Sequence, residues 1–166
     1  MNYRTFGKTG LQVSALGFGA MRLPTLDGVP LSPNVDQEQA IAMIRYAIDH
    51  GINYIDTAYP YHGRNSETVV GMALADGYRE RTYLATKCPV VLLEQEEDFD
   101  RILQEQLTKL QTGYVDFYLL HALDREKWKK VERFHLLGKL LHAREAGKIR
   151  YLGFSFHDDL AFFQEV

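Results

Sequence analysis

What most constrains this chain is an alternation that repeats along it: short apolar runs, each separated from the next by a longer stretch with helical periodicity. Leu16–Leu23 (LGFGAMRL) reads as a buried strand. After a loop comes DQEQAIAMIRYAIDHG, where Asp36 can cap a helix and Gln39 stands at the capping-box position. Its apolar face is Ala40, Ile44, Ala47 and Ile48; Gly51 ends it, and INYID follows at once as a second strand. A helix from near Asn65, carrying Val69, Val70, Ala73 and Leu74 towards Gly77, leads to a third strand at Thr82–Thr86. A helix from about Asp98, with Phe99, Leu103, Leu107 and Leu110 on one side, leads past Gly113 to a fourth, VDFYLL. REKWKK reads as a basic surface stretch; then a helix at Leu136–Glu145 ends at Gly147 before a fifth strand, Ile149–Phe154. Strands alternating with helices of this length imply parallel pairing through right-handed crossovers, hence an α/β fold, either a (β/α) barrel or an open doubly wound sheet.

The glycines bear on that choice. A dinucleotide-binding GxGxxG turn needs a third glycine where this chain, after Gly17 and Gly19, has Arg22. The Gly7-Lys8-Thr9 triplet lacks the earlier glycine of a phosphate loop, since Asn2 stands there, and no helix follows it. Tyr3–Val13, with a turn-rich GKTG centre, reads instead as a small β-hairpin ahead of the main fold, and Pro24–Asn34 as a loop within a single domain spanning residues 1–166.

Composition narrows the partners. Nineteen basic and 22 acidic residues, a formal net charge of −3, leave no electrostatic footprint for nucleic acid or an anionic membrane, so the expected partner is a small molecule. Cys88 is the lone cysteine, which rules out an internal disulfide and favours a reducing, cytoplasmic compartment; no apolar run reaches the length of a membrane span or secretion signal. His135 and His142, seven apart, have no acidic or cysteine partner in a ligand pattern, and no metal site is expected.

Barrel enzymes carry their chemistry where strands end, because loops gather at that rim and the packed core gives way to a pocket. Here the second strand ends at Asp56, the third at Lys87, the fourth at His121 and the fifth at Ser155. Taken singly, an Asp or Ser after a strand is more often a cap or turn former, and a Lys beside an Asp can be a structural ion pair. Tyr61, in the loop DTAYPYHG after Asp56, gives the series a purpose. A phenol with a pKa near ~10 is a poor proton shuttle at neutral pH, and a neighbouring ammonium such as that of Lys87 would lower it. A histidine at hydrogen-bond reach, His121, could orient a carbonyl oxygen or share in proton delivery. Carbonyl reduction matches that set, whereas HExxH, GxSxG and paired cysteines are absent. Three further aromatic or imidazole positions stay open: His62 touches substrate or is solvated, Tyr59 shapes the pocket or packs in the core, and Trp128 lines the pocket mouth or anchors a surface loop.

YRTFGKTGLQVSALGFG, GINYIDTAYPYHGRNSE, YLATK, DFYLLH and GKIRYLGFS, in this order, resemble the aldo-keto reductases over nearly the whole chain. The resemblance implies an incomplete (β/α)8 TIM barrel, an N-terminal hairpin plus about five βα units. It implies reduction of aldehydes or ketones by hydride from C4 of NADPH, with NADH possible. Tyr61 would be the general acid, Lys87 would lower its pKa, Asp56 would pair with Lys87 and lie against the cofactor, and His121 would orient the carbonyl. Ser155 would bind the nicotinamide carboxamide, and Gly19, Ala20 and Met21 would lie beside cofactor and substrate. Two departures stand out. The family commonly has Ser-Asn after its fifth strand, where this chain reads Ser155-Phe156-His157, closer to a subgroup whose longer members carry a C-terminal iron-sulfur segment not found here. A complete barrel also needs eight strands and typically about 250 residues, so contacts to the cofactor's phosphates are expected beyond Val166 and open edges at strands one and five invite self-association. A cofactor-sensing or scaffold protein with a reductase fold, and an inactive fragment of a longer reductase, are the alternatives.

Overall fold

A computed structural model describes residues 1–166. The hairpin forms as its turn residues direct: β1 (Tyr3–Thr5) and β2 (Gln12–Ser14) pair antiparallel, with Gly7 and Gly10 at positive φ between them. Five further strands follow, β3 (Phe18–Gly19), β4 (Tyr54–Asp56), β5 (Tyr83–Cys88), β6 (Val115–Leu123) and β7 (Ile149–Phe156), pairing in chain order as one parallel sheet. Unbroken chain order is the barrel arrangement, because a doubly wound sheet reverses order at a switch point.

Helices α1 (Gln37–Asp49), α2 (Ser66–Ala73), α3 (Asp98–Lys109) and α5 (Leu136–Glu145) lie on one face of the sheet between successive strands, with α6 (Leu160–Glu165) after β7. Asp36 caps α1 by accepting from the Gln39 amide, but the reciprocal half of the capping box is absent, since the Asp36 amide donates to the Pro24 carbonyl. Ala40, Ile44 and Ile48 are buried as the periodicity requires, and Gly51, Gly77 and Gly147 take positive φ just past their helices. After α3 that role falls to Gln111 at φ 53° rather than Gly113.

Two elements differ from the sequence reading. The first strand does not run over Leu16–Leu23: it is two residues long and breaks into a 3-10 turn at Ala20–Arg22. The reason is tertiary, for the Ala20 carbonyl accepts from the Ser66 hydroxyl and the Leu23 amide donates to His62, so side chains take the groups a ladder would have used. REKWKK lies at the surface as read, but it is helical, the start of α4 (Arg125–Arg133), capped by Asp124, which accepts from the Lys127 amide. Its polarity hid it, because only Trp128 and Val131 turn to the core.

One cluster of 32 buried residues runs from Ala20 to Ile149 between sheet and helices. The opposite, concave face is closed at its base by aromatics. Phe6 of the hairpin meets Phe117 edge-on at 5.1 Å, and Phe117 stacks on Tyr151 at 5.2 Å and leans on Tyr54 at 5.4 Å. With the base filled, the C-terminal ends of the strands are left as the place for chemistry.

Candidate active site

Register decides which side chains share the concave face. Asp56 pairs with Ala85 across β4 and β5, and Lys87 with Leu119 across β5 and β6, so period-two alternation turns Asp56 and Lys87 to one side. The Lys87 side chain is 7% exposed, and its ammonium finds three oxygens: Asp56 Oδ1 at 2.6 Å, the Thr57 carbonyl at 2.8 Å and the Tyr61 hydroxyl at 3.4 Å. An ammonium has three hydrogens and no lone pair. Each can serve one of these oxygens, and the phenol's own hydrogen is left to point into the hollow. Burial pushes the Asp56 carboxyl upward, with the attraction of Lys87 working against it.

Tyr61 opens a 3-10 turn, Tyr61–Arg64, in which His62 and Gly63 both take left-handed backbone angles. His62 is not a solvated loop side chain: it is 1% exposed, with Nε2 accepting from the Leu23 amide at 3.0 Å and Nδ1 at 2.8 Å from the Ser32 carbonyl. Those partners require a neutral ring with its hydrogen on Nδ1, and they strap the Pro24–Asn34 loop to the loop bearing Tyr61. Tyr59 packs in the core rather than the pocket. Its ring lies between the Arg64 guanidinium at 4.3 Å and the Lys109 ammonium at 4.8 Å, and its hydroxyl donates to Glu105. Trp128 packs against the core on α4, favouring the anchoring role.

His121 comes to Tyr61 through a β-bulge. Pairing between β6 and β7 runs regularly to Leu120 opposite Phe154 and resumes at Leu123 opposite Phe156, so His121 and Ala122 together face Ser155 alone. Ala122 takes φ 51°, its amide donates to the Ser155 hydroxyl at 2.7 Å, and the His121 ring sits edge-on to Tyr61 with centroids 5.7 Å apart. Burial pushes the His121 imidazole down to about 4, aided by repulsion from Lys87, His157 and Lys127. It is therefore neutral at ordinary pH and can donate one N–H.

Sequence reasoning thus named four side chains, Asp56, Tyr61, Lys87 and His121, that meet at one end of the sheet. The residues named for a cofactor are gathered less closely. Gly19 pairs with Asp56, Ala20 is fully buried with its carbonyl held by Ser66, and Met21 is 41% exposed. Ser155 uses a lone pair on Ala122 and keeps its hydrogen to donate, as a carboxamide carbonyl would need, so this rim fits the nicotinamide end of a dinucleotide. His135 and His142 share a surface hollow with Glu96 and Asp100, but both carboxylates pair with Lys139.

The sequence reading passed over a second layer: Thr57, Ser66, Glu67, Thr86 and Gln106, all fully buried. The signal for Gln106 was present, since it falls on the same helical face as Phe99, Leu103 and Leu110, where a polar residue is out of place.

Comparison with known proteins shows the family and the fold. The aldo/keto reductase family profile matches residues 15–166. An aldo-keto reductase of Bacillus subtilis is 34% identical over 163 residues, covering 93% of this chain and 47% of that protein. A thermostable aldo-keto reductase solved with the inhibitor epalrestat superposes with a TM-score of 0.83 at 31% identity, over 99% of this chain and 57% of the other. An aldo-keto reductase from Klebsiella pneumoniae in complex with NADPH gives a TM-score of 0.72 at 29% identity, over 98% and 52%. The chain spans about half the length of the curated relatives it matches.

Proposed function

The chain belongs to the aldo-keto reductase family, and from that premise we propose that it reduces aldehyde or ketone carbonyls to alcohols with NADPH, Tyr61 acting as the general acid. The observation that carries this reading is the Lys87 ammonium held at once on Asp56, the Thr57 carbonyl and the Tyr61 hydroxyl. When bound, NADPH supplies the hydride that adds to the carbonyl carbon. The chain's own residues manage the oxygen. Neutral His121 donates an N–H to it, orienting the carbonyl as negative charge grows there, and Tyr61 gives it a proton. The Lys87 ammonium stabilises the phenolate left behind, and Asp56 keeps the ammonium from swinging away. Solvent returns the proton to Tyr61 after the alcohol leaves. Ser155 would donate to the nicotinamide carboxamide, with Gly19, Ala20 and Met21 alongside.

The same reading includes a single domain over residues 1–166, supported by the continuous core, and a reducing, cytoplasmic setting, supported by the fully buried Cys88 thiol, which burial pushes up to about 12. It also includes self-association through the outer edges of β3 and β7, beside which Met43, Tyr46, Leu160 and Phe163 are exposed.

The test is NADPH consumption by the purified chain across a panel of aldehydes and ketones, with Tyr61→Phe alongside. Turnover that falls by about 10²-fold or more in Tyr61→Phe, with the fold intact, is expected. Saturable NADPH binding without turnover on any carbonyl would instead favour the cofactor-sensing alternative, and a Tyr61→Phe variant with the wild-type rate would remove Tyr61 from the mechanism.

A further inference from the structure

The catalytic proposal uses the side chains on the concave face of the sheet and leaves unexplained a costly arrangement on the other face. Glu67, in the first turn of α2, is fully buried. Its Oε1 accepts from the Thr86 hydroxyl and from the Gln106 amide, each at 2.6 Å, while Oε2 has no partner. The same Gln106 amide group also reaches the Lys87 carbonyl at 3.0 Å and Thr86 Oγ1 at 3.2 Å. The Tyr118 hydroxyl donates to Gln106 Oε1 at 2.6 Å, which fixes the amide's orientation so that its nitrogen faces Glu67 and Lys87. Thr86, Gln106 and Tyr118 are all fully buried.

For stability alone an apolar side chain would serve this layer as well or better, because a buried carboxyl with an unsatisfied oxygen is expensive. What the carboxyl supplies is a fixed acceptor that locks two donors on two different elements. Those donors grip β5 at Thr86 and, through Gln106, at the carbonyl of Lys87, the residue whose ammonium must meet Tyr61. The neighbouring Ser66 does the same for the other rim segments. Its hydroxyl donates to the Ala20 carbonyl at 2.8 Å, so the hydrogen shared with Thr57 Oγ1, also at 2.8 Å, must come from Thr57. The first turn of α2 therefore reaches the ends of β3, β4 and β5 together. Burial holds the Glu67 carboxyl above its ordinary range, in keeping with an acceptor that need not carry charge.

We propose that Glu67 is a positioning residue for the reduction: through Thr86 and Gln106 it holds the strand segment that aims the Lys87 ammonium at Tyr61. The inference rests on the reductase reading, and its test separates the two. Three variants of the full chain suffice. Glu67→Gln keeps an oxygen acceptor for Thr86 and Gln106, Glu67→Leu removes it, and Thr86→Val deletes one of the two donors at nearly constant volume. Two readouts are taken on each: kcat and KM for the best carbonyl, and the 15N resonance of the Lys87 ammonium, which reports its hydrogen bonds without any turnover.

Glu67→Leu is expected to lower kcat at least about 10-fold, since displacement of a reacting group by ~1 Å can cost about 10²-fold, with KM changed less than about twofold, and to move the Lys87 resonance. Glu67→Gln is expected to restore both, and Thr86→Val to move both in the direction of Glu67→Leu by a smaller amount. A chain that turns over no carbonyl but shows the Lys87 resonance moving in Glu67→Leu and returning in Glu67→Gln would sink the reductase reading and sustain the positioning role. An unmoved resonance with unchanged kcat in Glu67→Leu overturns the inference. So does a Glu67→Gln variant as damaged as Glu67→Leu, because the site would then be using charge rather than an acceptor. If Glu67→Leu does not fold, Thr86→Val decides by the same readings.

Discussion

His121 sits where a second proton on its ring is repelled. Lys87, His157 and Lys127 face it with positive or protonatable groups, and the ring is more than half buried, which together bring it to about 4. The sign follows directly. The neutral form is favoured in the folded chain, so its contribution to stability is fully present above the unfolded value near ~6.5 and is lost as pH falls towards about 4. Between pH 8 and 5 the imidazole therefore stays a single N–H donor, and the acid limb of any reduction profile in that range belongs to another group. An NMR titration of the six histidines should show the His121 ring unchanged from pH 7 to 5; a midpoint near ~6.5, the ordinary value, would contradict a buried ring facing Lys87. The chemical identity of Asp56, Lys87 and His121 was legible in the sequence because each closes an apolar run, and that of Tyr61 because it lies in the loop that follows Asp56. His62 was not. Its burial depends on Leu23 and Ser32, dozens of residues away, and nothing in its neighbours signals that two backbone groups will claim both ring nitrogens.

Among the elements, α2 and α3 show how little room the site's supporting layer has. Gly71 in α2 packs so closely against the end of α3 that a Cβ there would run into the Lys109 carbonyl oxygen and stand 2.8 Å from the Leu110 carbonyl carbon. Backbone cannot give way as a side-chain tip can, so Gly71→Ala should destabilise the chain by ~1–3 kcal/mol even though alanine favours helix. Urea unfolding measures this, and an unchanged or increased midpoint would show that α2 can slide. Arg45 adds to the constraint by donating from α1 to the carbonyls of Ala73 and Met72 at the end of α2. Helices with an apolar stripe and an end signal, α1, α3 and α5, were readable to within a residue or two. The first barrel strand and α4 were not: one loses its ladder to side chains from α2 and the loop before it, and the other is a mostly charged helix with a thin apolar face.

At the scale of the whole molecule, the parallel sheet bends around a base of aromatics and presents two unpaired edges. Exposed main-chain donors and acceptors at an edge favour pairing with another strand. Apolar side chains flank both edges: Phe18, Met43 and Tyr46 at β3, and Phe154, Leu160 and Phe163 at β7. The proposed self-association of this chain predicts a mass that rises with concentration in sedimentation equilibrium; a monomer at all concentrations would mean that twist and side-chain cover suffice to blunt the edges. No helix is long and apolar enough to cross a membrane.

The sequence by itself determined the α/β alternation and the functional group that closes each of the second to fifth strands, because hydrophobic period and turn chemistry are local properties that survive without knowledge of the fold. Tertiary structure alone decided that those groups converge. The register of β4 on β5, the bulge that turns His121 towards Tyr61, and the buried hydrogen bonds of His62, Ser66, Glu67 and Gln106 all join residues far apart in the chain. Whether a polar side chain ends in water or in a saturated network depends on what packs over it, and that is settled only when the helices close on the sheet.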